Sequence, residues 1–478
     1  CYGANDRGLT WTMDVASRKL SSRVGSLRRS SYSSSTTSLR RSSLSSRDVH
    51  AIQAALLRQR PVSNHTVIVL VALLPWLSYF LLYSIHTCQG VFGETLSSLL
   101  FRWPFGLRLL PPLFDSIAWK IVAVFLSVQL LLHEVLPRDT VAIVNGGTGD
   151  PAYKETNGLA CTIVICLAYV LGATLKFYRP DLVYQHFAGI IGCLSAIGIA
   201  GLFLLYTKYH FGETHSVETI YEFFFGVELA PRVLEIEVKH FMRSRISMGL
   251  YALFTISSLY YSHSTTKIMH PSVALVGAAH LFYIICWQWC EDVHLNGIDE
   301  KVANLGFARV WLDLVLYPVI YTAPVAIVVM EKKHITPIFA LLFCAAVIVS
   351  TVFTYISARQ RLNFRLHKGN VKVGGHDPYF IMAKFRAEGG DTAANLLLGS
   401  GYWGMMRHPS YTFDLVAHCS FSFLGGWSGP FGHSPLIVLV LYYLIRISFD
   451  EMRCLAKYGA SWGQHCARVT YKLVPGLY

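Results

Sequence analysis

The sequence predicts an all-α polytopic membrane protein: a bundle of about ten transmembrane helices preceded by a disordered, basic N-terminal tail. Three observations lead there. Of 478 residues, 53% are hydrophobic and only 14% are charged, whereas a soluble globular domain carries roughly 25% charged residues. From Thr66 onward, apolar runs follow one another at close to the ~20 residues a spanning helix needs. Between Ser21 and Arg47, by contrast, 13 of 27 residues are serine, interleaved with arginine. The first two observations, with a mean hydropathy of +0.42, exclude a large soluble enzyme.

The chain divides into a tail, residues 1–60, and a membrane region, residues 61–478. The formal net charge is +13, and residues 1–50 hold nine Lys or Arg against three Asp or Glu. Such a composition cannot bury a core, so the tail is expected to be disordered. The unit Leu-Arg-Arg-Ser occurs at Leu27–Ser30 and again at Leu39–Ser42. Basophilic kinases favour Arg-Arg-Ser, and phosphorylation there would turn a cationic tail acidic. Two readings stand: a solvated arm that only enforces topology, or a regulated contact with lamin, chromatin or nucleic acid. In either, the first apolar run acts as a signal anchor and leaves the tail on the cytoplasmic or nucleoplasmic side.

The candidate spans are Thr66–Thr87, Ser116–Leu136, Gly158–Lys176, Phe187–Tyr206, Ser247–Ser262, Ser272–Trp289, Trp311–Met330, Ile335–Tyr355, Tyr411–Leu424 and Ser434–Ser448. Inside lipid only helices satisfy so many backbone groups. Polar stretches at His210–Arg245 and Ser357–Ser400 interrupt the series, and long polar loops beside a bundle often carry binding function. The 11 cysteines form no CxxC pair and there is no HExxH. They are expected to be small apolar core residues, with no metal bound.

The chemistry concentrates after residue 357. Arg407, His408 and Asp414 sit at the mouth of one apolar run, and Arg446, Asp450, Glu451 and Arg453 close the next. Ionisable residues at membrane depth are expensive and usually face a cavity or a partner. Arg forks suit phosphates and aromatic faces suit a nicotinamide or adenine ring. A phosphorylated dinucleotide fits that set, though not in a Rossmann site, because no GxGxxG follows a strand. The plainer alternative is a belt of interfacial aromatics and snorkelling arginines.

The stretch SGYWGMMRHPSYTFDL, Ser400–Leu415, resembles the sterol reductase motif SGWWGxxRHxNYxGDL. The closing FDEMRCLAKYGASWGQHCARVTYKLVPGLY, Phe449–Tyr478, is similar to RDExRCxxKYGxxWxxYxxxVPYRxxPxIY. FFFGVELAPR, Phe223–Arg232, resembles FFxGxELNPR. Asp313, Pro318 and Tyr321 match GDLxWxPFxY, and Gln360, Phe364 and Arg365 match QKxxFR. In order from about residue 160 to the end, these motifs resemble the sterol reductase family, in its sterol C14-reductase and lamin B receptor branch. The resemblance implies that NADPH delivers a hydride to a sterol double bond, at C14–C15, while an acid protonates the other carbon. By motif position it implies a cofactor pocket of Arg361, Arg365, Trp403, Arg407, His408, Tyr411, Arg446, Asp450, Arg453 and Tyr458. Asp313 and Asp414 are the implied proton donors, and the sterol comes from the bilayer. It also implies an endoplasmic reticulum or inner nuclear membrane location.

The departures from those motifs fall at functional positions. The family's HD pair before GFG is Ala303-Asn304 here, its Asn in RHxNY is Ser410, and the Gly of GDL is Leu312 in one motif and Phe413 in the other. The Arg of RDE is Phe449, the Lys of QK is Arg361, the Pro of VPYR is Thr470 and the preceding Tyr is His465. Losing one charge-assisted contact, as at Phe449, costs about 1.5–3 kcal/mol. Two functions therefore remain open: an NADPH-dependent sterol reductase with an altered site, or a catalytically silent inner nuclear membrane protein that tethers lamin or chromatin through its basic tail.

Overall fold

The computed structural model describes residues 62–101, 106–144, 151–211, 220–330, 335–386, 392–425 and 430–478; the Ser/Arg-rich tail lies outside them. Each apolar run of the sequence is helical. The principal helices are α1 (Asn64–His86), α2 (Ser116–Val135), α3 (Gly158–Thr174), α4 (Phe187–Phe211), α5 (Met248–Thr266), α6 (Pro271–Trp289), α7 (Tyr317–Met330), α8 (Pro337–Leu366), α9 (Pro409–Leu424), α10 (Ser434–Tyr458) and α11 (Ala460–Arg468). Pro271, Pro337, Pro409 and Pro435 stand in the first turn of α6, α8, α9 and α10, where the missing N–H has no intrahelical partner to lose. Asp115 caps α2 by accepting from the N–H groups of Ile117 and Ala118, as an N-cap carboxylate does.

By length and composition seven helical segments among the described residues can cross a membrane, against about ten expected. They include Phe307–Met330 and Pro430–Tyr458, and α3 is a shorter apolar helix. α9 falls short at 16 residues, and α5 through its Ser, Thr and Tyr hydroxyls. The fold is all-α, and it is that of a polytopic membrane protein. Three small antiparallel hairpins were not expected: β1 (Asp139–Ile143) with β2 (Ala152–Thr156), β3 (Arg232–Val233) with β4 (Ile236–Glu237), and β5 (Phe380–Arg386) with β6 (Thr392–Leu398).

A helix apolar on every side is stable only where every side is covered. α7 is that helix: every residue from Asp313 to Val329 is buried. α5, α6 and α1 pack on it, and α8 packs on α6 and α9. The outer helices leave one face uncovered, as with Ile68, Val69 and Trp76 on α1 or Ile338, Phe339 and Leu342 on α8. Exposed apolar faces of that extent suit lipid.

Two π-helical turns shape the interior. Met242–Ser247 leads into α5, and Leu312–Leu316 joins Phe307–Trp311 to α7. A π turn adds a residue to the helical repeat and re-aims side chains around it, and such turns concentrate at functional sites. Here they bring Arg243 and Asp313 together at 3.0 Å. The first turn also supplies Arg245, which is 1% exposed and donates to Glu291 at 2.7 Å and to Asn157 at 2.9 Å. Glu291 further accepts from the Gly158 N–H at 2.9 Å and pairs with His240 at 2.9 Å. This buried knot fastens the end of the β1–β2 hairpin and the start of α3 to α5 and to the segment after α6.

Candidate functional site

The helix ends beyond α6, α8 and α10 carry charge, and where they converge they enclose a cavity of about 430 Å³, within the size range of small-molecule and cofactor sites. Two helices build its long walls through one face each. On α10 the lining positions are Leu439, Tyr442, Tyr443, Arg446, Asp450, Arg453, Cys454, Lys457 and Tyr458; on α8 they are Thr354, Tyr355, Ala358, Arg361, Leu362 and Arg365. Both sets follow the three- and four-residue spacing of a single helical face. At 1.5 Å per residue, the α10 wall is about 28 Å long. Tyr283 and Trp287 of α6, Tyr317 and Tyr321 of α7, and the segment Val293–Val302 complete the enclosure.

The cavity has two chemically different ends. Toward the C-termini of α8 and α10 it is cationic, with Arg361, Arg365, Arg453, Lys457 and Lys301 in the wall. No carboxylate among the described residues pairs with Arg361, Arg365 or Arg453. The Arg361 guanidinium lies over the Trp403 ring at 4.5 Å, and the Trp403 indole N–H donates to the Ser357 carbonyl at 2.8 Å. Tyr458 accepts from Asn395 of β6 at 2.7 Å, which brings the β5–β6 hairpin to the rim.

Farther along α10, Arg446 is held by Asp299 and donates to the Tyr411 hydroxyl at 2.7 Å. His408 stacks on Tyr411 (centroids 5.2 Å apart) and Tyr411 on Tyr443 (4.4 Å). The pKa of His408 is pushed down to about 3, first by burial and then by Arg361, Arg407, Arg446 and Lys472. It is therefore a neutral imidazole at physiological pH. Its Nε2 is buried with no hydrogen-bond partner among the described residues.

The far end is aromatic and holds one carboxylate. Asp414 is 7% exposed; it accepts from the Tyr443 hydroxyl at 2.6 Å and from the Tyr283 hydroxyl at 3.1 Å. His418, one turn on, stands 3.3 Å from the Tyr283 hydroxyl. Tyr443 and Arg453 are ten residues apart on α10, so about 15 Å separates the Asp414 level from the cationic end.

Of the twelve site residues expected from the sequence, ten line this cavity: Arg361, Arg365, Trp403, His408, Tyr411, Asp414, Arg446, Asp450, Arg453 and Tyr458. Asp313 and Arg407 lie outside its wall. Asp313 is fully buried between Arg243 at 3.0 Å and Arg309 at 2.5 Å, and Arg243 in turn lies over the Tyr317 ring at 4.1 Å. Arg407 binds Glu451 at 2.6 Å and the Val469 and Thr470 carbonyls at 2.6 and 3.0 Å. It thereby ties the C-terminal segment to α10.

Several side chains of the cavity wall were not singled out from the sequence: Asp299, Lys301, Tyr283, Tyr442 and Tyr443. The signal for the first two was available, because Asp299-Glu300-Lys301 is an ionisable cluster between two spans.

The departures from the family motifs sort by position. Only Ser410 and Arg361 line the cavity. Asn304 donates to the Gly226 and Val227 carbonyls, and the Ala303 carbonyl accepts from Lys239. Phe413 packs on Phe353 and Tyr402.

Gly401 is the conformational keystone of the rim. Its φ is +60°, and a Cβ there would stand 2.5 Å from the Gln360 side chain and 2.7 Å from Val373. Gln360 accepts from the Tyr402 N–H at 3.1 Å. Gly401→Ala is expected to destabilise the protein by about 1–3 kcal/mol, read as a lower thermal midpoint in detergent. An unchanged midpoint would mean that the rim does not depend on this backbone conformation.

Comparison with known proteins agrees with the membrane architecture. A family model described as "Ergosterol biosynthesis ERG4/ERG24 family" matches residues 71–478. The chain is 27% identical to a 7-dehydrocholesterol reductase of Arabidopsis thaliana over 368 residues, covering 76% of this chain and 85% of the relative. It is 25% identical to the 7-dehydrocholesterol reductase of Danio rerio, covering 77% and 81%. It is also 27% identical to the Delta(14)-sterol reductase of Methylotuvimicrobium alcaliphilum over 444 residues, 91% of this chain and 99% of the relative.

Proposed function

The chain belongs to the ergosterol biosynthesis ERG4/ERG24 family, and from that premise we propose that it reduces the C14–C15 double bond of a sterol with NADPH in the cavity between α8 and α10. The observation that carries this reading is the pairing, in one cavity, of a cationic end with a single carboxylate flanked by tyrosine hydroxyls about 15 Å away. The choice of C14 is supported by the match along 91% of the chain to a relative named Delta(14)-sterol reductase. The endoplasmic reticulum or inner nuclear membrane is the proposed location.

The residues present fit a phosphorylated dinucleotide. Arg361, Arg365 and Arg453, which form no ion pair among the described residues, would take its phosphates. The unpartnered His408 Nε2 is a buried acceptor or donor that a ligand group would satisfy. When bound, NADPH supplies the hydride. The protein supplies the proton: Asp414 and Tyr283 share a hydrogen bond of 3.1 Å, and the sterol carbon takes its proton from whichever of the two faces it. Tyr443 holds the other carboxylate oxygen and fixes its orientation. Asp313, committed to two guanidinium groups, acts at one remove by positioning Arg243 against Tyr317.

The alternative, a silent inner nuclear membrane tether, draws its support from the basic tail and from the motif departures. That most departures lie outside the cavity wall favours the enzyme. The test is reduction of a C14-unsaturated sterol by membranes containing the protein and NADPH, with a C7-unsaturated sterol in parallel. Product from the C14 substrate is expected. Product from the C7 substrate alone moves the activity to that bond, and none from either, with folded protein, leaves the tether. Arg365→Gln and Arg453→Gln are each expected to raise the KM for NADPH about 10- to 100-fold, the loss of one charge-assisted contact, with kcat little changed. An unchanged KM would remove these two residues from the phosphate site.

A further inference from the structure

One cation of the cavity differs from the rest in how it is held. Lys301 ends the turn Ile298–Lys301, between α6 and α7, and is half-buried in the wall. Its Nζ donates to the Val144 carbonyl at 2.6 Å and to Asn296 Oδ1 at 2.8 Å. Asn296 is itself fixed: Oδ1 also accepts from the Val144 N–H at 2.9 Å, and Nδ2 donates to the Ala142 and Asp292 carbonyls at 2.9 Å. An ammonium has three donors, and the third is uncommitted among the described residues.

No acid among the described residues pairs with it either. Asp299 and Glu300 immediately precede it, yet Asp299 is taken by Arg446, and Glu300 by Arg309 at 3.0 Å and Lys239 at 3.5 Å. Its neighbours are cations: Arg361 and Arg365 from α8, and Lys154 from β2, which pairs with Glu237 at 2.6 Å. From α10 the same cavity receives Asp450, Arg453, Lys457 and Tyr458. A pre-oriented ammonium with a free donor, no counter-ion among the described residues and like charges around it is a site awaiting an anion.

We propose that Lys301 is a further binding residue of the cofactor site, donating its third N–H to a phosphate oxygen of the bound dinucleotide and coupling the segment that follows β1 to it through Val144. This rests on the cofactor reading above. It also carries a proton. Burial, then Arg365, Arg361 and Lys154, pull the Lys301 pKa down to about 7 in the free protein. A phosphate beside it restores the charged form and raises that pKa. Binding therefore takes up a proton at pH above about 7, and affinity falls as pH rises through that range. His408 and His294, both held near 3 by burial, do not titrate in that window.

The test is calorimetric titration of the purified full-length protein with NADPH and with NADH at pH 6.5, 7.5 and 8.5, in two buffers of different ionisation enthalpy. Wild type is expected to take up a fraction of a proton at pH 7.5, approaching about one at pH 8.5, with affinity falling up to about tenfold per pH unit. Lys301→Arg should bind without the uptake, and Lys301→Gln about 10- to 100-fold more weakly, also without it. Loss toward NADPH alone places the contact on the 2′-phosphate, and equal loss toward both nucleotides places it on the pyrophosphate. Wild-type affinity and proton uptake in Lys301→Gln would overturn the inference while leaving the cofactor reading intact. Failure of the wild type to bind either nucleotide overturns both.

Discussion

Replacing Asp414 with asparagine is expected to lower kcat for sterol reduction by about 10²–10⁴-fold, the usual contribution of a positioned acid, with the KM for NADPH nearly unchanged. The substitution keeps the side chain's volume and its acceptor toward Tyr443 at 2.6 Å, but an amide cannot hold the proton that the sterol carbon requires. The split between kcat and KM separates this from a structural role, since loss of packing would lower thermal stability and nucleotide affinity together. Tyr283→Phe should fall between wild type and Asp414→Asn, because it removes one of the two groups sharing the proton. Full turnover in Asp414→Asn would exclude Asp414 as the donor.

The largest effect on stability is expected at Arg245. Arg245→Met should cost about 3–5 kcal/mol, as removal of one partner of a buried ion pair does. The loss leaves Glu291, 3% exposed, without its guanidinium and Asn157 Oδ1 with only the Cys161 thiol, at 3.5 Å, as a donor. Thermal unfolding in detergent reads it directly. Substituting both partners, Arg245→Met with Glu291→Leu, should recover part of the loss, since two apolar side chains leave no unpaired charge. A double variant less stable than either single one would sink that account.

The same pair sets an acid sensitivity. Burial raises the pKa of Glu291, but the hydrogen bond and charge of His240, then Arg245 and Ser244, outweigh it and hold the carboxyl well below its usual range. A depressed folded pKa contributes stability that is present above the unfolded value near 4.3 and is lost as pH falls below it. Arg245→Met should flatten that acid limb.

Much of the architecture was legible because it is local. An apolar run of spanning length is helical in lipid whatever surrounds it, so each such run from Thr66 to Ser448 became a helix. On α10 the lining positions Arg446, Asp450, Arg453 and Lys457 follow the period of one helical face, although Arg446, Asp450, Arg453 and Tyr458 were found by motif position. The pocket residues of α8 and α9 were likewise found by motif rather than by period. The hairpins were missed because their strands are short and their pairing serves loops, not the core.

By itself, then, the sequence determined that this is a multi-helix membrane protein of the sterol reductase kind, with its charges gathered at the C-terminal helix ends. Only the tertiary structure decided which of those charges meet. Asp313 and Arg243 lie 70 residues apart, and two π turns bring them together, which takes the carboxylate out of the cavity wall. Arg407 was drawn to Glu451 and the C-terminal carbonyls instead of the pocket. Asp299 and Lys301, an ionisable cluster in a short connection whose destination the sequence does not specify, entered the cavity through their contacts with Val144, which follows β1, and with Arg446 of α10. Helix formation is governed by neighbours along the chain, whereas the partner of a charge is governed by neighbours in space.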